Sequence, residues 1–387
     1  MSPTIMIVAG EASGDLHGAN LVRALYSSRP DLHFCGMGGP DLSSAGVDIL
    51  YDASKVSVVG VFEVVSHLKD IFLAQRILRT CMEEVRPDLL ILIDLPDFNL
   101  MLAGKARKLG IPVFYYISPQ VWAWRKGRVK TLRERVDKMG VILPFEEDFF
   151  LKHNVQAQYV GHPLLDSVEV TCTRDDFCKA HSIAPEQKCI GLLPGSRKRE
   201  VAALLPIFFS AAELMQHNHV ERLVFIIPKA ATVDNSVFEG TGLGRYQKIL
   251  DIRVIEDDRY NLMAACDAVV AASGTVTLEL AILGIPMIVV YRLSRLSYLL
   301  GRLLVKLDYF SLVNLIAGYE AVPELLQDEV VPERIVSQLD AIISQPEERL
   351  KMEAALAEVR AKLGGSGASA KAAAAALQLL EEYSCDR

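Results

Sequence analysis

Two carboxylates, Asp94 and Asp97, follow the apolar run 89–93 in the segment Asp94-Leu95-Pro96-Asp97-Phe98-Asn99. If that run is a buried strand, both stand just past its end, where open α/β sheets bind their ligands. A carboxylate there can take a proton from a hydroxyl, or it can hold its own loop by accepting backbone N–H bonds. A second group of residues suits an anion. Pro194-Gly195-Ser196-Arg197 follows the run 189–193, and Ser273-Gly274-Thr275 follows the run 268–272. Each precedes a helix-length segment, and a helix N-terminus offers unpaired N–H donors with partial positive charge. Arg197 adds a two-pronged donor. Glu279 lies four residues after Thr275, on the same helix face, among the apolar Leu278, Leu280, Ala281 and Ile282. A carboxylate is costly to bury unless paired. Two sugar hydroxyls would satisfy it, and a solvated Glu on an ordinary helix start is the alternative.

These groups need a scaffold to bring them together. Short apolar runs bounded by Gly and Pro alternate with helix-length segments along the chain, the signature of parallel βαβ units. In the first half, strands are predicted at 4–10, 33–39, 89–93, 112–117, 138–143 and 157–160, with a helix at 61–79. Polar residues gather at the strand ends: Glu11, Ser13 and Asp15 in Gly10-Glu11-Ala12-Ser13-Gly14-Asp15, then Asp94 and Asp97, then Gln120. The first turn is not a G-x-G-x-x-G, so it carries no dinucleotide fingerprint. Gly161-His162-Pro163-Leu164 breaks the pattern. A second series follows, with strands at 189–193, 222–227, 252–255, 268–272 and from 287. Two facing α/β domains with a cleft between them are the natural architecture. A glycosyltransferase, an epimerase or a ligand-binding carrier could all be built this way.

Composition narrows the classes. With 387 residues, 51% hydrophobic, a sizeable core is available and the composition argues against disorder. A net charge of −7 argues against a general nucleic-acid binder. No apolar run reaches the roughly 18 residues needed to span a bilayer. The start MSPTIMIVAGEASGD has no basic region or cleavage site, so no signal peptide is expected. The seven cysteines are scattered, with no CxxC, as expected of reduced thiols in a cytoplasmic protein. His217 and His219 form an HxH on a polar stretch without a third ligand, so no metal site is expected.

The combination VAGEASGD (8–15), DLPDFN (94–99), SPQVWAWRKGR (118–128), LPFE (143–146), VGHPL (160–164), LLPGSRKREV (192–201), ASGTVTLE (272–279) and DYFSLVNLIAG (308–318) closely resembles the lipid-A-disaccharide synthase family, in order from the N-terminus to about residue 326. GHPL alone also occurs in UDP-N-acetylglucosamine epimerases. The resemblance implies a GT-B fold of two Rossmann-like domains. Residues 1–163 would bind the acceptor, joined by C-terminal helices at about 346–387, and residues 164–345 would bind the UDP-sugar. It implies an inverting transfer from UDP-2,3-diacylglucosamine to 2,3-diacylglucosamine 1-phosphate, without metal or other cofactor and without nucleic acid; a homodimer is left open. Asp97, matching the second Asp of the family motif, is expected as the base, with Asp94 as the alternative. Ser196, Arg197, Ser273, Gly274, Thr275, Glu279 and Asn314 are expected around the nucleotide and its diphosphate. Glu11, Ser13, Asp15, Asp94 and Gln120 are expected on the acceptor side.

Acylated substrates require access to a bilayer. At about 100° per residue, Val61, Val64, Val65, Leu68, Ile71 and Phe72 share one face of a helix over 61–72. Trp122 and Trp124 precede a run from Arg125 to Lys138 holding seven Lys or Arg. The expectation is a peripheral protein on the cytoplasmic face of the inner membrane, touching anionic lipid through Val64, Val65, Leu68, Ile71, Trp122, Trp124 and Arg125.

Overall fold

The computed structural model describes residues 2–56, 68–123, 127–230, 233–256, 258–293 and 307–385. The chain forms two compact units: Met1–Asp166 with Gly365–Arg387, and Ser167–Gly364.

The first unit holds seven strands: β1 (Thr4–Ala9), β2 (His33–Gly38), β3 (Asp48–Asp52), β4 (Leu89–Ile93), β5 (Val113–Tyr116), β6 (Lys138–Val141) and β7 (Ala157–Tyr159). They are all parallel, in the order β3-β2-β1-β4-β5-β6-β7. Helices cover both faces, which is why the central strands read as unbroken apolar runs. Alternate residues split between two cores. Met6, Val8, Leu90 and Leu92 face Leu78, Met82, Ala103 and Leu132 from the helices Leu68–Val85, Pro96–Leu109 and Arg128–Arg135. Ile5, Ile7, Leu89 and Ile91 face Leu21, Leu25, Ala376 and Leu379 from the helices Ala12–Ser28 and Ala368–Cys385.

The second unit holds β8 (Cys189–Leu193), β9 (Val224–Pro228), β10 (Asp251–Ile255), β11 (Ala268–Ala272), β12 (Met287–Tyr291) and β13 (Glu324–Leu326), parallel in the order β10-β9-β8-β11-β12-β13. Here too β8 and β11 are fully buried along their length.

Three features depart from the sequence reading. The edge strands β3 and β13 were not anticipated; both are short, and neither carries a continuous apolar run. The helix Pro346–Leu363, expected with the first domain, belongs to the second unit. It buries Met352, Leu356, Val359 and Leu363, and its Lys362 Nζ donates to the carbonyls of Ile316 and Ala317. Only the following helix, Ala368–Cys385, returns to the first unit. The helix expected from residue 61 is described from Leu68 onward, and residues 61–67 lie outside the described part.

Candidate active site

In the first unit the strand order reverses between β1 and β4, and β5 lies beside β4. The carboxyl ends of these strands carry Glu11, Asp94 and the segment 117–120. The backbone there is strained. Asp94 (φ 46°), Leu95 (φ 45°) and Ile117 (φ 62°) all sit in the left-handed region without being glycine. Side chains hold the bend in place. Asn99 Nδ2 donates to the carbonyls of Ile93 (3.1 Å) and Asp94 (2.7 Å), and the Tyr115 hydroxyl donates to the same Asp94 carbonyl. The Ile117 N–H donates to Gly140 O at 3.0 Å. Gly10 lies against this loop, and a Cβ on it would collide with the Leu95 side chain.

Asp94 and Asp97 have different surroundings. The Asp94 carboxyl is held above the ordinary carboxylate range by burial and, secondarily, by the negative charge of Glu11, against the opposing N–H of Leu95. Asp97, the expected base, has a side chain 78% exposed and ion-paired to Arg128, a partner the sequence did not single out.

The other acceptor-side residues separate as well. Glu11, Ser13 and Gln120 are exposed, Glu11 at the N-cap of the helix Ala12–Ser28. Asp15 is not available to a ligand. Its buried carboxylate accepts the N–H groups of Gly39 (2.6 Å), Asp41 (2.9 Å) and Leu42 (3.3 Å), capping the turn after β2. Trp122 is not a membrane anchor. It is buried, donates from Nε1 to Glu146 Oε1 at 3.0 Å and packs edge-on against Phe145. Glu146 also accepts from Ser118 Oγ at 2.6 Å and from Leu143 N at 3.0 Å, so this buried carboxylate ties the ends of β5 and β6 together. The sequence signal for it was the proline-started helix with Glu at its third position. Val64, Val65, Trp124 and Arg125 lie outside the described residues. Leu68 is exposed, whereas Ile71 is half-buried and packs partly on the core. Phe72 is the most prominent apolar group of that helix, 67% exposed.

In the second unit the order reverses between β8 and β11, whose ends are in register, Leu193 opposite Ala271. Gly195 has φ 100°, and a Cβ there would strike the Glu200 carboxylate. Arg197 is the exposed N-cap residue of the helix Lys198–Asn218 and pairs with Glu200 at 3.2 Å. Ser196 is exposed beside it. On the β11 side, Gly274 and Thr275 are exposed at the start of the helix Val276–Leu283, while Ser273 Oγ donates to Phe310 O at 3.2 Å. Glu279 is buried and ion-paired to Arg259, whose guanidinium lies 5.0 Å from the Tyr260 ring centroid. Burial raises the Glu279 carboxyl, and Arg259 opposes the rise.

Asn314 is fully buried. Its amide nitrogen donates to Val322 O (2.9 Å) and Glu324 Oε1 (2.8 Å), and its oxygen accepts from the N–H groups of Ala321 (2.8 Å) and Val322 (3.0 Å). All four amide hydrogen-bonding positions are therefore used internally. Glu324 in turn accepts from the backbone of Phe310 and Ser311, so Asn314 holds the loop that Ser273 touches.

One unit thus carries a half-buried carboxylate on a fixed, strained loop; the other carries cations and N–H donors at two helix starts. The first set suits proton removal and the second suits an anionic phosphate. The sequence profile of the lipid-A-disaccharide synthetase family matches residues 5–379. Over 384 residues the chain is 46% identical to the lipid-A-disaccharide synthase of Syntrophus aciditrophicus (strain SB), covering 99% of this chain and 100% of that protein. Among solved structures it is similar in fold to a UDP-GlcNAc 2-epimerase from Neisseria meningitidis bound to UDP-GlcNAc (TM-score 0.63, 13% identity, 98% and 100% covered). It is also similar to the calicheamicin glycosyltransferase CalG4 (TM-score 0.61, 13% identity, 99% and 98% covered). The two parallel sheets are thus a GT-B-like fold, and the chain belongs to the lipid-A-disaccharide synthase family, glycosyltransferases of lipid A biosynthesis.

Proposed function

We propose that the chain condenses UDP-2,3-diacylglucosamine with 2,3-diacylglucosamine 1-phosphate, with inversion, giving the β-1,6-linked disaccharide 1-phosphate and UDP. An acceptor hydroxyl attacks the anomeric carbon as the bond to UDP breaks, and its proton passes to a carboxylate. The environment of Asp94 carries this reading. A base works best when its pKa lies near the working pH and its position is fixed. Asp94 is pushed upward by burial and held by the Asn99 and Tyr115 clamp, whereas Asp97 is solvated and neutralised by Arg128. We therefore assign proton removal to Asp94 and the positioning of Arg128 to Asp97. The electron pair leaves with UDP, whose charge is met by Arg197, Ser196 and the N–H donors of Gly274 and Thr275. Glu279 keeps Arg259 and accepts ribose hydroxyls on its remaining lone pairs.

The test is mass spectrometry of the product from a synthetic diacyl acceptor together with UDP release. Release that requires the acceptor supports the transferase. Turnover of the donor alone would establish an epimerase, and UDP binding without release a carrier.

We extend the proposal to a peripheral position on the inner face of the inner membrane. Among the described residues no helix is long and apolar enough to cross a membrane. Leu68, Phe72 and Leu73 leave apolar surface exposed at the start of their helix. Replacing Leu68 and Phe72 by Ser should leave the fold intact and lower liposome binding; unchanged binding would remove this helix from the membrane contact.

A further inference from the structure

The helices Leu68–Val85 and Pro96–Leu109 pack side by side, and with Arg128–Arg135 they enclose a surface cavity of about 450 Å³. Its lining includes Arg79, Lys105, Arg107, Lys108 and Arg135 against a single carboxylate, Glu134, in a chain whose net charge is −7. Some of these cations are occupied. Lys105 pairs with Glu83, Arg107 with Asp137 at 2.7 Å, and Arg135 donates to Leu100 O at 2.9 Å while its guanidinium lies over Gly104. Arg79 and Lys108 have no carboxylate partner among the described residues. Arg79 Nε is buried there without any hydrogen-bond acceptor. A buried donor left unpaired is costly, and an anion in the cavity would satisfy it.

What surrounds the cavity narrows the anion. One helix leads into β4 and the other leads out of it, so both run antiparallel to that strand and parallel to each other. Leu68, Phe72 and Arg79 fall within about 40° of one helix circumference, and Met101, Lys105 and Lys108 within about 60° of the other. At 1.5 Å rise per residue, Arg79 lies about 10 Å beyond the exposed Phe72, and Lys105 and Lys108 lie about 6 and 10 Å beyond the exposed Met101. Both helices therefore show the same order, apolar then basic, in the same direction.

We propose that this cavity binds the phosphate of an anionic membrane lipid, with the lipid's apolar part lying along Phe72 and Met101. The proposal rests on the peripheral-membrane reading and adds a specific headgroup site to it.

The test is sedimentation of the full chain with vesicles of phosphatidylcholine alone and of phosphatidylcholine with phosphatidylglycerol. Each cation near an anionic surface contributes about fivefold, so Arg79→Gln with Lys108→Gln should weaken phosphatidylglycerol-dependent binding by roughly 25-fold. Arg79→Lys keeps the charge but loses the planar fork, and should still weaken it several-fold. The paired control is Lys152→Gln with Lys371→Gln, two exposed lysines elsewhere on the first unit. An equal loss in that control, or full binding by Arg79→Lys, would mean a diffuse field and overturn the site. Protection of the wild-type chain from thermal unfolding by inorganic phosphate, lost in the double variant while vesicle binding stays normal, would mean a free-anion site and overturn the lipid assignment. No vesicle binding by the wild-type chain at all would overturn the membrane reading itself.

Discussion

The two strand-order reversals have the same topology and opposite local physics. Around β1, β4 and β5, three non-glycine residues adopt left-handed backbone, and the Asp94 carboxylate is half-buried. After β8 the one positive-φ position of the turn is a glycine, Gly195, and Ser196, Arg197, Gly274 and Thr275 stand exposed around β8 and β11. A proton acceptor is tuned by its surroundings, so its loop must be rigid and partly dry. A phosphate is recognised by charge and N–H donors, which work without strain and are best left open to an incoming ligand. The difference between the two turns therefore matches the difference between their assigned tasks.

The largest effect should come from the strained side. Asp94→Asn keeps the shape and removes the proton acceptor, so turnover should fall by roughly 10²–10⁴-fold. Asp97→Asn should cost much less, since that side chain is solvated and engaged by Arg128. Steady-state kinetics of the two variants decide the matter. Normal turnover in Asp94→Asn with a collapse in Asp97→Asn would reverse the assignment and break the comparison.

On the open side, Arg197→Ala removes one of the groups proposed to face the leaving diphosphate. Loss of one preorganised donor typically costs about 10²–10³-fold in kcat. Because Arg197 is exposed and its ion pair is with the neighbouring-turn Glu200, the melting temperature should stay unchanged. The remaining N–H donors and Ser196 are fixed in place, so added Mg²⁺ should not restore the rate. Recovery with Mg²⁺ would show that a cation, rather than fixed dipoles and Arg197, carries the charge.

Much of this was legible in the sequence. Buried parallel strands leave unbroken apolar runs, so the central strands and the segments at their ends could be located. Side-chain destinations were less legible, because polar residues at a strand end serve a ligand or a turn with the same chemistry. Asp15 and Asn314 sit in motifs of the site, yet Asp15 accepts from backbone N–H groups, and Asn314 bonds the backbone of Ala321 and Val322 and the Glu324 carboxylate. Trp122 has the composition of a membrane anchor, but Glu146, distant in sequence, draws its N–H inward. Asp94 and Asp97 differ through Glu11 and Arg128, and both partners are brought in by tertiary structure alone.

Asn314 supplies a test in which stability, rather than rate, should move. Asn314→Ala strands the N–H and the carbonyl of Val322, and it takes one partner each from the Ala321 N–H and a Glu324 oxygen, which keep Tyr319 O and the Ser311 N–H. Each buried polar group left unpaired costs about 1–3 kcal/mol, so urea unfolding should report a loss of about 3 kcal/mol or more. UDP affinity of the protein that remains folded should change little. A variant with normal stability and weakened UDP binding would return Asn314 to the ligand-contacting set.

The smallest expected effect is the most specific to the strained side. Glu11→Gln removes the second cause of the elevated Asp94 pKa and leaves burial, the first, in place. The base acts deprotonated, so activity should fall as pH drops through the Asp94 pKa. In the wild-type chain that acid limb of kcat/KM should lie above the ordinary carboxylate range, and in Glu11→Gln it should shift toward lower pH. Stability must follow the same sign. A carboxyl whose folded pKa exceeds its unfolded value holds more protons when folded, between the two values. The stability it contributes is therefore present below the unfolded pKa and lost as pH rises through the folded one. Removing Glu11 narrows that window, so the fall in stability with rising pH should become shallower. An acid limb that stays where it was would show that Glu11 does not act on the base, leaving burial alone to set the difference between the two halves.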